Sequence, residues 1–117
     1  MAITSPIVTL QNANTMTGNG VAVTINSETK IGLQVFGTST SCTLIAEVSL
    51  DGENWSTIGG INIKDQRSIV ESIETSVSAI NMALEYDVER WSTFRCRISS
   101  IDNGNVTVLL SKLAEYC

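Results

Sequence analysis

The chain has 117 residues, of which 43% are hydrophobic and 16% are charged, and its formal net charge is −5. This length and composition predict one folded domain with its own core and exclude a disordered chain. The seven basic residues are scattered along an acidic sequence, which argues against nucleic acid as the main partner.

The first residues of the chain are predicted to lie outside the folded domain. We expect residues 1–12, which include Pro6, to form an N-terminal arm that contacts a neighbour, and residues 13–117 to form a single β-sandwich domain. The opening M-A-I-T-S-P-I-V-T-L has no basic region followed by an apolar core, as a secretory signal would. No apolar run approaches the roughly 18 residues that span a membrane. We therefore expect a soluble protein, made in a cytoplasm, with no membrane partner.

Apolar residues alternate with polar ones along several short segments, which is the pattern of strands with one buried face. The strands predicted in this way cover residues 21–25, 31–36, 42–50, 82–88, 94–98 and 106–110. Turn signals rich in Gly, Asn, Ser and Thr separate them at residues 17–20, 37–41, 51–54 and 102–105. The last turn, D-N-G-N, predicts a hairpin between the final two strands, because Asn and Gly tolerate positive φ.

Residues 67–78 fit two local structures. Ile69, Ile73, Val77 and Ile80 recur at helical spacing, but the segment is dense in β-branched residues and serine, which disfavour helix interiors. Short strands separated by turns about every ten residues predict an all-β fold, an antiparallel β-sandwich of immunoglobulin-like or jelly-roll-like type. A single short helix within residues 67–80 remains the alternative for that segment.

The residues that most catalysis requires are missing. The chain has no histidine, which removes the commonest general base, the His-dependent nucleophiles and most zinc sites. Its three cysteines have no C-x-x-C spacing, and no phosphate-binding loop or nucleophile-elbow motif occurs. The carboxylates fall mostly in turns or on wet strand faces. We therefore expect a protein that is not an enzyme and binds neither cofactor nor metal.

Cys42, Trp55 and Cys96 follow the Cys…Trp…Cys order of immunoglobulin domains, and an immunoglobulin-like adhesion domain would need a Cys42–Cys96 bridge. The two cysteines are closer in sequence than that pattern usually has them, and Phe94 stands where the corner tyrosine would be. Buried, reduced thiols are the preferred interpretation.

The run D-G-E-N-W, residues 51–55, is predicted to be the turn of a hairpin. Asp51 can accept bonds from the turn backbone, Gly52 can supply positive φ and Asn54 can do either. We expect Trp55 to fold its ring over the end of the sandwich. The residue order of a calcium-binding loop is absent, so a turn is favoured over a ligand site.

The same stretch carries a resemblance to known families. S-L-D-G-E-N-W, residues 49–55, resembles the S-x-D-G-x-N-W hairpin of discoidin-type sandwiches and of small β-sandwich virion proteins of tailed bacteriophages. The similarity to the phage proteins extends to G-L-Q-V-F-G-T at 32–38, F-R-C-R-I-S at 94–99 and N-G-N-V-T-V at 103–108, in the same order. A discoidin domain is usually longer, and its aromatic ligand loops have no counterpart here.

The resemblance implies a noncatalytic virion structural protein, and we expect a capsid (head) decoration protein that stabilises the major capsid lattice. Its partner would be the major capsid protein or another virion protein, with homo-oligomerisation left open. The alternative is a tail-associated or carbohydrate-binding module, the latter with a host glycan as ligand. The candidate interface residues are Ile3, Pro6, Ile7, Val8, Leu10, Ile69, Ile73 and Trp91.

Overall fold

Two antiparallel sheets form a sandwich in the computed structural model, which describes residues 7–25, 30–63, 68–76 and 78–112. The strands are β1 (Ile7–Asn14), β2 (Val23–Thr24), β3 (Lys30–Gly37), β4 (Cys42–Ser49), β5 (Ser56–Thr57), β6 (Gly60–Asn62), β7 (Ser68–Val70), β8 (Ile73–Thr75), β9 (Asn81–Asp87), β10 (Thr93–Ile101) and β11 (Val106–Lys112). Sheet A has the order β1-β11-β3-β9-β6-β7. Sheet B has the order β2-β10-β4-β5, and β8 also pairs with β4. The predicted all-β antiparallel sandwich is confirmed.

The alternative of a short helix within residues 67–80 is wrong for the described part of that segment. Ile69 lies in β7 of sheet A, whereas Ile73 lies in β8 of sheet B, so the two do not share a helical face. The β-branched composition prevails over the helical spacing because each short strand finds a pairing partner. Among the described residues, no helix is long and apolar enough to cross a membrane.

The core lies between the two sheets and is filled by the alternate residues of five strands. Side chains predicted to face inward are buried at Ile31, Leu33, Val35, Leu44, Ala46, Val48, Leu84, Tyr86, Phe94, Cys96, Ile98, Val106, Val108 and Leu110. The rings of Tyr86 and Phe94 bridge the sheets, with centroids 5.3 Å apart. Leu50, expected on the same face as Leu44, is instead 67% exposed because β4 ends at Ser49.

The predicted hairpin across residues 102–105 is wrong. β10 pairs with β4 and β2 in sheet B, whereas β11 pairs with β1 and β3 in sheet A. The D-N-G-N turn therefore crosses from one sheet to the other. Residues 38–41 make the same crossing between β3 and β4, directly beside it.

Hydrogen bonds join these two crossings into one corner. The N–H of Thr40 donates to Oδ1 of Asn103 at 2.8 Å, and the N–H of Thr38 donates to the carbonyl of Asn105 at 3.1 Å. Gly104 has a φ of +63°. A positive φ at a Gly or Asn of the D-N-G-N turn was predicted from the sequence. The turn chemistry was predicted correctly, but it serves a crossing between sheets.

The described part of the predicted N-terminal arm is a strand of sheet A. β1 pairs with β11, for example Ile7 with Ser111, and Leu10 is buried. The side-chain N–H of Gln11 donates to the carbonyl of Cys96 in sheet B at 2.9 Å, which ties β1 to both sheets. The structure thus differs from the predicted arm over residues 7–12, while residues 1–6 lie outside the described residues.

Cys42 and Cys96 are both free and buried, as expected for reduced thiols. They belong to β4 and β10 of the same sheet, where Cys42 pairs with Ile101 and Cys96 with Ala46, so a bridge between sheets is not available. Burial, and to a smaller extent the nearby charge of Glu47, raise the pKa of the Cys96 thiol to about 12. Cys117 lies outside the described residues.

Candidate interaction surfaces

The outer face of sheet A carries an open groove of about 340 Å³. Leu109, Gln34 and Ala83 lie side by side across β11, β3 and β9, on the face opposite the buried Leu110, Leu33 and Leu84. We call this surface the sheet A groove. The outward-facing residues that line it are Ile7, Gly32, Gln34, Ile63, Ala83, Leu109 and Ser111.

The sheet A groove has a floor of small residues and sides formed by apolar side chains. Gly32 and Ser111 face each other across β3 and β11 and leave a low floor. Ile7 and Ile63 are 67% and 48% exposed and rise on either side. None of the described residues that line the groove is charged, although the protein as a whole is acidic. The grouping of these exposed apolar side chains makes the groove a candidate contact surface for another molecule.

The outer face of sheet B carries a cluster of charged side chains. The Nε of Arg95 lies 2.9 Å from one carboxylate oxygen of Glu47, and the Nε of Arg97 lies 3.2 Å from the other. The Cζ of Arg95 lies 4.1 Å from the centroid of the Trp55 ring. Both arginines are thus ion-paired to the single carboxylate of Glu47, and the three side chains carry a net charge of +1. Trp55, expected over the end of the sandwich, therefore packs against sheet B through the Arg95 guanidinium.

The D-G-E-N loop at residues 51–54 is stabilised by its own residues. Oδ1 of Asp51 accepts hydrogen bonds from the N–H groups of Glu53 and Asn54, both at 2.8 Å, and from the hydroxyl of Ser49 at 2.9 Å. Its Oδ2 accepts from the side-chain amide of Asn54 at 2.6 Å. Gly52 has a φ of +77°. These bonds, above all those from the N–H groups of Asn54 and then Glu53, hold the pKa of Asp51 well below its usual range.

No ligand role is needed to explain this loop, because both Asp51 oxygens have partners within it. The geometry at Asp51, Gly52 and Asn54 is that of a structural turn leading into the hairpin of β4 and β5. Within the described ranges, no three Asp, Glu or Cys residues lie close enough together to hold a metal ion.

The candidate interface residues are divided between the surface and the core. Ile7 lines the sheet A groove, and Ile69 is 78% exposed on β7, at the edge of the same sheet. Val8 and Trp91 are half-buried against the core. Leu10 and Ile73 are buried within the core and are not available to a partner. Ile3 and Pro6 lie outside the described residues.

The other residues of the sheet A groove were missed by sequence reasoning. Gln34, Ala83 and Leu109 come from three separate strands, and each stands at an outward position that the alternation alone marks as solvated. The available signal was the lack of charge at those positions in 31–36 and 106–110. Only the pairing of the strands brings them together.

The structure is an antiparallel sandwich with an open groove of uncharged lining on the outer face of sheet A and an ion-paired cluster on the outer face of sheet B. The sequence model of the XepA family matches residues 5–109, which is most of the chain. The chain belongs to the XepA family. Comparison with curated protein sequences finds no match.

Two solved structures share the fold. The SPBc2 prophage-derived protein YomS superposes with a TM-score of 0.81 at 18% identity, over 95% of this chain and 97% of YomS. The PBSX exported protein XepA also gives a TM-score of 0.81, at 15% identity, over 92% of this chain. The match covers 37% of the XepA chain. These similarities show that the chain shares the β-sandwich fold of the two prophage-encoded proteins.

Proposed function

We propose that this chain is a noncatalytic structural protein of a phage virion, and specifically a head decoration protein that binds the major capsid lattice. The phage-derived family supports the first part of this proposal. The sheet A groove is the observation that carries the second, because it offers an uncharged, open surface to a protein partner. On this proposal the protein is made in the bacterial host and resides in the virion.

The sheet A groove differs from the outer face of sheet B in its lack of charged lining residues among those described. Fully burying a large apolar side chain contributes roughly 1.5–3 kcal/mol, and Ile7, Ile63 and Leu109 stand together around the groove. A charged face would first have to lose its water, but this groove has no charged lining residue among those described. Many copies bound across a lattice would each bridge neighbouring capsid subunits, so that expanding the shell requires additional contacts to break.

A single charge in the groove tests this docking mode. Gln34→Glu changes an exposed side chain between Leu109 and Ala83 and leaves the core intact, so the variant is expected to fold. Its binding to phage particles that lack the protein should fall by about tenfold or more, because the carboxylate would be buried without a partner. The measurement is co-sedimentation of purified protein with such particles.

Thr24→Glu supplies the matched control. It adds the same charge at an exposed strand position on β2 of sheet B, which does not line the groove. We expect this variant to bind particles as the unchanged protein does. Equal binding of the Gln34→Glu variant and the unchanged protein would contradict docking through the sheet A groove.

A further inference from the structure

A second cavity lies at one end of the sandwich and shares no residue with the sheet A groove. Two links between the sheets run beside each other there: residues 58–59, from β5 to β6, and residues 88–92, from β9 to β10. The cavity between them has a volume of about 460 Å³, within the range of small-molecule sites. Its lining residues are Ile58, Gly59, Asp87, Glu89, Arg90 and Trp91.

The chain around Trp91 is firmly held. The N–H of Trp91 donates to the carbonyl of Val88 at 3.0 Å, and the hydroxyl of Ser92 donates to the carbonyls of Ser49 and Leu50 at 2.9 and 2.7 Å. Arg90 has a φ of +85°, a backbone conformation that is strained for a non-glycine residue. The neighbouring bonds maintain that conformation, and the Trp91 side chain is partly buried against the core. The indole is thus a rigid wall of the cavity.

Most polar groups that border the Trp91 indole have no side-chain partner among the described residues. The side chains of Glu89 and Arg90 form no hydrogen bond or ion pair with any residue in the described ranges. Asp87 uses Oδ1 to accept the N–H of Glu89 at 3.1 Å. The indole N–H of Trp91 likewise has no acceptor among the described residues. An aromatic surface is therefore bordered by two carboxylate acceptors and two kinds of N–H donor.

We propose that this cavity binds a neutral saccharide. A sugar ring presents an apolar C–H face, which suits the indole of Trp91, and a rim of hydroxyls, which suit a mixture of carboxylates and N–H donors. Asp87 and Glu89 accept hydroxyl protons, and Arg90 donates to hydroxyl oxygens. The two carboxylates and the net charge of −5 disfavour an anionic ligand such as a phosphorylated or acidic sugar.

The two tryptophans of the chain make a direct test possible. In a Trp55→Phe variant, Trp91 is the only source of indole fluorescence. Titration with neutral oligosaccharides of glucose, galactose and N-acetylglucosamine should change its emission in a saturable way. The matched Trp91→Phe variant, which keeps only Trp55, should show no ligand-dependent change.

A third variant keeps the test decisive if the loss of Trp91 disturbs folding. Glu89→Gln alters an exposed side chain and should weaken saccharide binding by about tenfold, since a bond to a charged acceptor is lost. Gln34→Glu, in the sheet A groove, should bind the saccharide normally, so failure of the docking proposal and failure of this one are distinguishable. Absence of a saturable change at Trp91, an equal change in both single-tryptophan variants, or binding of acidic sugars alone would overturn the proposal.

Discussion

At the scale of single residues, the sequence predicts turn chemistry well because the relevant bonds are local. Asp51, Gly52 and Asn54 form the turn expected of D-G-E-N, within four consecutive residues. Trp55 follows them directly, yet its partner is Arg95, forty positions later in the chain. No local pattern specifies that contact, because it depends on β10 pairing with β4.

The low pKa of Asp51 predicts an acid-dependent loss of stability. The folded-state pKa lies below the ordinary value of 3.8, so the ionised carboxylate stabilises the fold above that value. The contribution is lost as the pH falls below about 4 and approaches the folded-state pKa. Asp51→Asn should therefore be less stable than the unchanged protein at pH 7, with a difference that shrinks on acidification.

Denaturant unfolding at a series of pH values measures this difference. Glu53→Gln is the matched control, because it removes a neighbouring charge of the same loop whose side chain makes no hydrogen bond to a described residue. A stability difference for Asp51→Asn that stays constant from pH 7 to pH 3 would contradict the role given to the carboxylate.

Burial of Cys96 predicts an unreactive thiol. Its pKa is raised to about 12, so at pH 8 the thiolate that attacks alkylating reagents is almost absent, and the side chain is also inaccessible. Iodoacetamide followed by peptide mass mapping should leave Cys96 unmodified in the native protein and modify it fully in denaturant. Rapid native alkylation of Cys96 would show that the core of sheet B opens readily.

At the scale of elements, alternation predicted which face of a strand is buried but not which strand lies beside it. The faces of β3, β4, β9, β10 and β11 were all predicted correctly. The pairing partner of β11 was predicted wrongly, because a D-N-G-N turn can connect strands of two different sheets as well as the two strands of a hairpin. Residues 7–12 were predicted to be an arm because their pairing with β11 joins opposite ends of the chain, and such a pairing leaves no local sequence pattern.

Two substitutions in β1 test whether it is part of the sandwich. Leu10→Ala removes a buried side chain and should lower the free energy of unfolding by roughly 2–5 kcal/mol. Ile7→Ala, in the same strand but 67% exposed, should change it by less than about 0.5 kcal/mol. Denaturant unfolding of both variants is the measurement, and equal, small effects would support a loosely attached arm instead.

The packing of the corner between the sheets predicts that alanine destabilises the protein more at Gly104 than at Gly52. Gly52→Ala and Gly104→Ala both place a side chain at positive φ, which costs about 1 kcal/mol or slightly more. An added Cβ at Gly52 meets nothing within 4 Å, whereas at Gly104 it would lie 2.6 Å from the backbone nitrogen of Ser39. Gly104→Ala should therefore lower the thermal midpoint clearly more than Gly52→Ala. Equal shifts would mean that the two crossings are not packed as described.

At the scale of the whole molecule, the sequence predicted the class of fold, but not the surface on which the proposed function rests. The family match agrees with the resemblance to phage sandwich proteins, which depended on the order of several short motifs. The sheet A groove appears only when Gln34, Ala83 and Leu109 are brought together by strand register. Each of them alone is an ordinary outward residue.

The two outer faces of the sandwich expose different kinds of side chain. Sheet B presents an ion-paired cluster in which Arg95 and Arg97 both contact the carboxylate of Glu47. Sheet A presents an apolar groove with no charged lining among the described residues. In an assembly we expect sheet A to be covered and sheet B to face water.

Immunogold electron microscopy of phage particles from the source organism tests the central claim most directly. The proposed function predicts label on the heads of intact particles, at many sites on each. Label confined to the tails would contradict the decoration role while retaining a place in the virion. Particles without any label, from a lysate that contains the protein, would contradict a virion role altogether.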